Sequence, residues 1–276
     1  MTINRVLNCR GLSLPLGDRT IIMGILNVTP DSFSDGGRYI EPELAVERAR
    51  QMLEEGADIL DVGGESTRPG FAAVPEEEEL RRVIPVIRAL KAAGIEAPIS
   101  VDTYKAEVAR QALEAGAHMM NDIWGLQKDP MMASVAAEYG RPIVLMHNRT
   151  EAVYANFIQD VIGDLQNIVE RALLAGIREE QIILDPGIGF AKSYEQNLQL
   201  MNYLDRIVQI GFPVLLGTSR KSMIRTTLEL PPDDVVEGTA ATVALGIAQG
   251  CRIMRVHDVK AMKRVVAMTD AIVRNK

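Results

Sequence analysis

The strongest constraint on this chain is a pattern that recurs eight times: a short β-branched apolar run, then a stretch of helical period. The runs are 21-IIMGILNV-28, 59-ILDVGG-64, 98-PISVD-102, 119-MMNDI-123, 143-IVLMH-147, 182-IILDPG-187, 214-VLLGTSR-220 and 253-IMRVHD-258. Near-continuous Ile, Val and Leu reads as strand buried on both faces, as in a parallel sheet. The helical stretches are 43–56, 76–94, 104–116, 130–140, 156–176, 195–211, 237–250 and 260–274. In the first, Leu44, Val46, Ala49, Met52 and Leu53 form one stripe among charges. Seven stretches end in glycine: Gly56, Gly94, Gly116, Gly140, Gly176, Gly211 and Gly250. These are expected to close each helix in the left-handed conformation and feed the next strand.

Eight strand–helix units without a linker or composition break predict a single-domain α/β protein over residues 1–276, a (β/α)8 TIM barrel. An open doubly wound sheet has fewer strands and a glycine-rich phosphate turn after the first, and no G-x-G-x-x-G occurs here. Residues 1–20, with Pro15 and Gly17, are expected to form a hairpin capping the barrel bottom.

Composition narrows the function classes. At 276 residues the chain buries a core without disulfides or a structural metal. Cys9 and Cys251 lie far apart with no metal spacing, which fits a reducing, cytoplasmic setting. No apolar run reaches the roughly 18 residues of a spanning helix, and residues 1–17 lack the core of a signal peptide. The net charge of -7, without any Lys/Arg run, argues against nucleic-acid and anionic-membrane partners. Cations that bind an anionic ligand must then be gathered locally.

In such barrels the reactive face lies at the C-terminal strand ends. Here those ends supply Asn27, Asp61 with Glu65, Asp102, Asn121 with Asp122, His147 with Asn148, Asp185, Ser219 to Lys221, and Arg255 to Asp258. Asp, Asn and Ser at such positions commonly cap the next helix, and for Asp61, Asp122 and Asp258 that is the simplest reading. For Asp102 a cap on the helix starting near Lys105 competes with a binding role. Capping does not account for a Lys, two Arg and a His on the same rim, because the positive helix end repels cations. Arg255 and His257, two apart on a strand, are expected to face the same way, with Val256 in the opposite layer. His118 is expected at the surface, and His147 fits core or pocket equally. The loop 27-NVTPDSFSDGG-37 reads as a lid or a simple turn, and 63-GGESTRPG-70 offers backbone N–H groups, hydroxyls and an arginine fork.

NVTPDSFSDGG, GGESTRPG, DPGIGF, GTSRKS and RVHD, in this order, closely resemble the bacterial dihydropteroate synthases of the pterin-binding family, over Ile21 to Asn275. The resemblance implies a transferase of folate biosynthesis that joins (7,8-dihydropterin-6-yl)methyl diphosphate to 4-aminobenzoate and releases diphosphate, with Mg2+. It places Asp102, Asn121, Asp185 and Lys221 around the pterin. It places Asn27, Thr67, Arg255 and His257 near diphosphate and metal, with Asn27 the metal ligand. It gives Arg68, Pro69, Phe190, Lys221 and Ser222 to the aminobenzoate site, where sulfonamides compete. Lys221, Arg255, His257 and Asp102 are the residues on which catalysis is expected to rest, and the family is usually a homodimer. Two departures are mild: 148-NRTEAVYANF-157 is variable in the family, and 233-DDVVEGT-239 lacks an arginine that many members carry.

The residues support the same chemistry. A dihydropterin edge with adjacent N–H and NH2 suits one carboxylate, and Asp185 stands at a strand end beside Gly187 and Gly189. Lys221 and Asn121 supply donors for ring acceptors. No serine, cysteine or lysine sits in a nucleophile–base–orienter arrangement, so catalysis is expected from positioning and electrostatics, with Asp35 a candidate to steady a cation. A pterin-dependent methyltransferase would need a corrinoid partner and no diphosphate site, and a non-catalytic paralogue would be expected to lack some of these residues.

Overall fold

In a computed structural model, residues 6–29, 42–65 and 73–275 are described. A hairpin of β1 (Val6–Cys9) and β2 (Leu12–Pro15) leads the chain. There follow β3 (Ile21–Asn27), α1 (Pro42–Glu54), β4 (Ile59–Gly63), α2 (Glu76–Ala92), β5 (Ile99–Asp102), α3 (Ala106–Ala115) and β6 (Met119–Asp122). Then come α4 (Met132–Tyr139), β7 (Ile143–Met146), α5 (Phe157–Leu174), β8 (Ile182–Asp185), α6 (Tyr194–Asn202) and α7 (Leu204–Val208). The chain ends with β9 (Leu215–Leu216), α8 (Ser222–Leu228), α9 (Val236–Ala248), β10 (Ile253–Val256) and α10 (Val259–Arg274).

Strands β3 to β8 pair in sequence order and in parallel, and β3 also pairs with β10, which pairs with β9. A single parallel bridge, Leu184 to Val214, joins β8 to the start of the β9 run and closes the barrel. The expected (β/α)8 barrel is therefore present. Its seventh strand is short because Pro213 precedes it without an N–H and Gly217 follows it.

Alternation along the strands makes two cores. Ile21, Ile59, Met119, Val144, Ile183, Leu215 and Ile253 point inward and form a buried cluster with Leu7, Cys9 and Leu16, so the N-terminal hairpin closes one end of the barrel. Leu60, Val62, Val101, Leu145, Leu184 and Val256 point outward against helix residues such as Val83, Ile87, Leu165 and Met262. Each such side chain contributes about 1.5–3 kcal/mol on burial. Inward positions nearer the C-terminal ends turn polar: Asp61, Ser100, Asp102, Asn121 and Asp185 are all buried.

All seven helix-ending glycines have positive φ, from 59° to 126°. Several local expectations are corrected. The α1 stripe holds at Ala49 and Met52, which are buried, and at Val46 and Leu53, which pack against the core, but Leu44 is exposed and Ala45 is buried in its place. The 195–211 stretch breaks at Tyr203 into α6 and α7. His118 is half-buried, and its Nδ1 accepts the Ile99 N–H at 3.0 Å. Burial and the nearby Arg10, Arg141 and Lys91 lower it to about 4.

Candidate active site

Parallel register sets Asn27 beside Gly63, Gly63 beside Asp102 and Asp102 beside Asn121. A Cβ on Gly63 would lie 3.5 Å from Asp102 Cβ and 3.8 Å from Asn27 Oδ1, so this glycine keeps the space between them open. Arg255 enters from β10, two residues beyond the inward-facing Ile253. Its Nε donates to Asp61 Oδ2 at 2.6 Å and its Nη2 to Asp102 Oδ2 at 2.6 Å. Asn121 Nδ2 donates to the same Asp61 oxygen at 3.0 Å. Val256 lies in the outer core as expected, while His257 falls one residue past the end of β10.

The cluster is electrostatically tense. Burial pushes Asp102 above the usual carboxylate range, Arg255 opposes it, and the second carboxylate, Asp61, adds to it. Burial works against the Arg255 cation, but Asp61 and Asp102 outweigh it and hold the guanidinium above its ordinary value. Asp61 Oδ1 and Asp102 Oδ1 are buried with no hydrogen-bond partner among the described residues. Such an acceptor costs about 1–3 kcal/mol, which a ligand N–H would relieve.

The opposite wall comes from β8 and the β9 unit. Asp185 is buried, and its Oδ1 accepts the Gly187 N–H at 2.7 Å. Burial raises its carboxyl, against that bond and the charges of Lys221 and Arg255. A Cβ on Gly217 would lie 3.8 Å from Arg255 Cβ and 4.0 Å from Asp185 Oδ2, so a second glycine opens the mouth here. Lys221 Nζ donates to Ile188 O at 2.8 Å and lies 4.1 Å from the Phe190 ring centroid. Burial lowers this ammonium to about 8. Gly187, at φ 70°, is required as glycine, because a Cβ there would meet His147 O at 2.0 Å.

Asn27, Asp102, Asn121, Asp185, Phe190, Lys221 and Arg255 thus converge on one mouth. His257 stands at its edge, Nδ1 3.0 Å from Ser219 Oγ. Ser222 is exposed at the start of α8. Thr67, Arg68, Pro69 and Asp35 lie outside the described residues.

The capping readings divide. Asp122 accepts from Trp124 N and Leu126 N at 2.8 and 2.7 Å and stabilises its own turn. Asp258 does not cap α10 through its side chain but pairs with Arg220 at 2.6 Å. Asp102 does not cap α3. Asp129, from the following loop, takes the Ala106 N–H at 2.8 Å. Asp61 is no cap either, but the residue that holds Arg255 and Asn121. The signal for it was present: in Ile59-x-Asp61-x-Gly63 the aspartate falls on the inward phase of a buried strand. The partners of His147, one basic and one acidic, were also missed. Its Nδ1 is 2.9 Å from Lys192 Nζ and its Nε2 is 3.0 Å from Asp164 Oδ2.

Residues 23–257 match the family model described as pterin binding enzyme. The dihydropteroate synthase of Clostridium beijerinckii is 55% identical over 260 residues, covering 94% of this chain and 96% of its own. That of Bacillus subtilis is 55% identical over 269 residues, covering 97% and 94%. Among solved structures, the Xanthomonas albilineans dihydropteroate synthase with 4-aminobenzoic acid superposes with TM-score 0.92 at 45% identity, covering 98% of each chain. The Clostridium difficile enzyme in the presence of pteroic acid gives TM-score 0.91 at 49% identity, covering 94% and 98%. These relatives favour the synthase over the methyltransferase and the non-catalytic paralogue. The chain belongs to the pterin-binding enzyme family and, within it, to the dihydropteroate synthases.

Proposed function

We propose that this barrel mouth binds (7,8-dihydropterin-6-yl)methyl diphosphate and transfers its pterinylmethyl group to 4-aminobenzoate, giving 7,8-dihydropteroate and diphosphate. The observation that carries the reading is the pairing of two buried carboxylates, Asp102 and Asp185, with the donors Asn121, Lys221 and Arg255 around one glycine-opened space.

In this reading Asp185 accepts the ring N–H and exocyclic NH2 of the pterin. One of its oxygens already takes the Gly187 N–H, but a carboxylate has further lone pairs. Asp102 Oδ1 accepts another ring N–H. Lys221 and Asn121 donate to ring oxygen and nitrogen. Arg255 has two nitrogens engaged with carboxylates, and its Nη1, unbonded among the described residues, faces the diphosphate together with His257. Thr67 joins the diphosphate side. Arg68, Pro69, Phe190, Lys221 and Ser222 receive the aminobenzoate.

An arylamine is a weak nucleophile. Departure of diphosphate leaves a pterin-delocalised cation, which the amine nitrogen then attacks, losing a proton. Fixed charges and positioning do this work, without a covalent enzyme intermediate.

Asn27 is half-buried, with Oδ1 beside the space at Gly63. Among the described residues, no three His, Cys, Asp or Glu side chains gather as a metal cage. Mg2+ takes oxygen ligands and is commonly held by one or two protein groups, with substrate phosphate and water completing its shell. Asn27 would hold it, and when bound it would neutralise charge on the leaving diphosphate.

Both cysteines are free and buried, and no described helix is long and apolar enough to cross a membrane. These support the cytoplasmic reading. Exposed Leu245 on α9 and Met268 and Ile272 on α10, neighbouring helices, support a homodimer through that face. Incubating the protein with the pterin diphosphate, 4-aminobenzoate and Mg2+ tests the reaction. Dihydropteroate and diphosphate should appear in equal amounts, and formation of neither would refute it.

A further inference from the structure

The turn Gly187–Ala191, between β8 and α6, supplies the Gly187 N–H to Asp185 and carries Phe190. Its backbone is unusual. Gly187 and Gly189 have φ of 70° and 84°, which glycine adopts freely, but Ala191 at φ 45° is a non-glycine residue in the left-handed region, a conformation that persists only where the surroundings fix it. Lys192 ends the turn, one residue before the Ser193 cap of α6. It is half-buried, and its Nζ reaches Gly187 O, Phe190 O and His147 Nδ1, each at 2.9 Å. Burial lowers Lys192 to about 7, and in its ammonium form it has three N–H groups, one for each of these acceptors.

The support behind it is rigid. His147 is fully buried at the end of β7, and its own N–H is bonded to Asp185 O at 2.9 Å. Accepting on Nδ1 places the ring proton on Nε2, which donates to Asp164 Oδ2. Arg149 Nε holds the same oxygen at 2.6 Å. Burial and Lys192 keep His147 neutral, lowering it to about 3. Asn197 Oδ1 takes the Gly189 N–H at 2.6 Å and Tyr154 Oη donates to Ala191 O at 2.8 Å, but Lys192 alone among these ties the turn to β7.

We propose that Lys192, backed by His147 and Asp164, is a positioning residue that locks the Gly187–Ala191 turn and so holds Phe190 against the Lys221 ammonium, where the second substrate enters. This rests on the reading that Phe190 and Lys221 receive 4-aminobenzoate.

The test is steady-state kinetics on three variants. Lys192→Met removes all three donors and should raise KM for 4-aminobenzoate about ten-fold, with kcat and KM for the pterin diphosphate changing less than about three-fold. Lys192→Arg keeps the cation, but its planar fork cannot bring three N–H groups from one nitrogen, and the same KM should rise about three-fold. Phe190→Ala should show the same selective rise. If melting curves show the Met variant unfolded, the Arg variant carries the comparison. An unchanged aminobenzoate KM in the folded Lys192 variant, with Phe190→Ala raising it, overturns the role of Lys192 and leaves that of Phe190 intact. Equal rises in both KM values at Lys192 indicate general damage and overturn it too. An unchanged KM in Phe190→Ala removes the underlying reading of Phe190, and the proposal with it.

Discussion

Arg255 Nη2 and Asp102 Oδ2 stand 2.6 Å apart at the barrel mouth, although 153 residues separate them in the chain. The same guanidinium holds Asp61 through Nε. Arg255 is therefore as much the counterion of the pterin-side carboxylates as a ligand for diphosphate.

This separates Arg255 from His257, two positions further along the chain. Arg255→Ala leaves two buried carboxylates without their cation. It should weaken a pterin lacking diphosphate as well as the full substrate, and cost about 3–5 kcal/mol of stability. His257→Ala should weaken only the diphosphate-bearing ligand. Calorimetry with both ligands on both variants checks this, and an unaffected diphosphate-free pterin in Arg255→Ala would count against the dual role.

Glycine substitutions should divide by what surrounds them. Gly187→Ala places a methyl 2.0 Å from a backbone oxygen at φ 70°, so the turn must move. We expect a loss of about 3 kcal/mol or more, with loss of pterin binding. Gly211→Ala has nothing within 4 Å at φ 105° and should cost only the strain of that conformation, about 1–2 kcal/mol. Urea unfolding of both variants decides, and similar losses would refute the contrast.

His118 gives a pH prediction away from the site. Its folded value, about 4, lies below the ordinary 6.5. Between these values the unfolded chain takes up a proton that the folded chain refuses. The stability present above pH 6.5 is therefore lost as pH falls toward 4. His118→Gln keeps an acceptor for the Ile99 N–H and does not titrate. Relative to it, the wild type should lose about 1–2 kcal/mol between pH 7 and 4.5, after allowance for solvent screening of a half-buried group. A wild-type-minus-variant difference that stays flat in urea titrations contradicts the assignment.

The barrel was legible because its causes are local. Buried runs of Ile and Val, helical period and a glycine at each helix end are all visible within about twenty residues. The polar mouth was legible for the same reason, since lysine, arginine and histidine do not cap helix starts. What stayed hidden depends on long separations. Arg255 meets Asp61 across 194 positions, and Asp129 caps α3 from another loop. Short-range spacing contains neither contact. Asp61 and Asp258 look identical as aspartates after apolar runs, yet one lies inside the barrel and the other pairs with Arg220 at the rim. Only the closed barrel separates them.

The central claim is that Asp185 receives the pterin. Its Oδ1 is fixed by the Gly187 N–H, and the rest of the carboxylate faces the mouth. Asp185→Asn turns a donor toward ligand donors and removes a charge, while a side chain of the same shape leaves the barrel folded. Calorimetric titration of the variant with the pterin diphosphate in the presence of Mg2+ should show a loss of about 2–4 kcal/mol in binding, with an unchanged melting profile. Wild-type affinity in that variant would contradict the account.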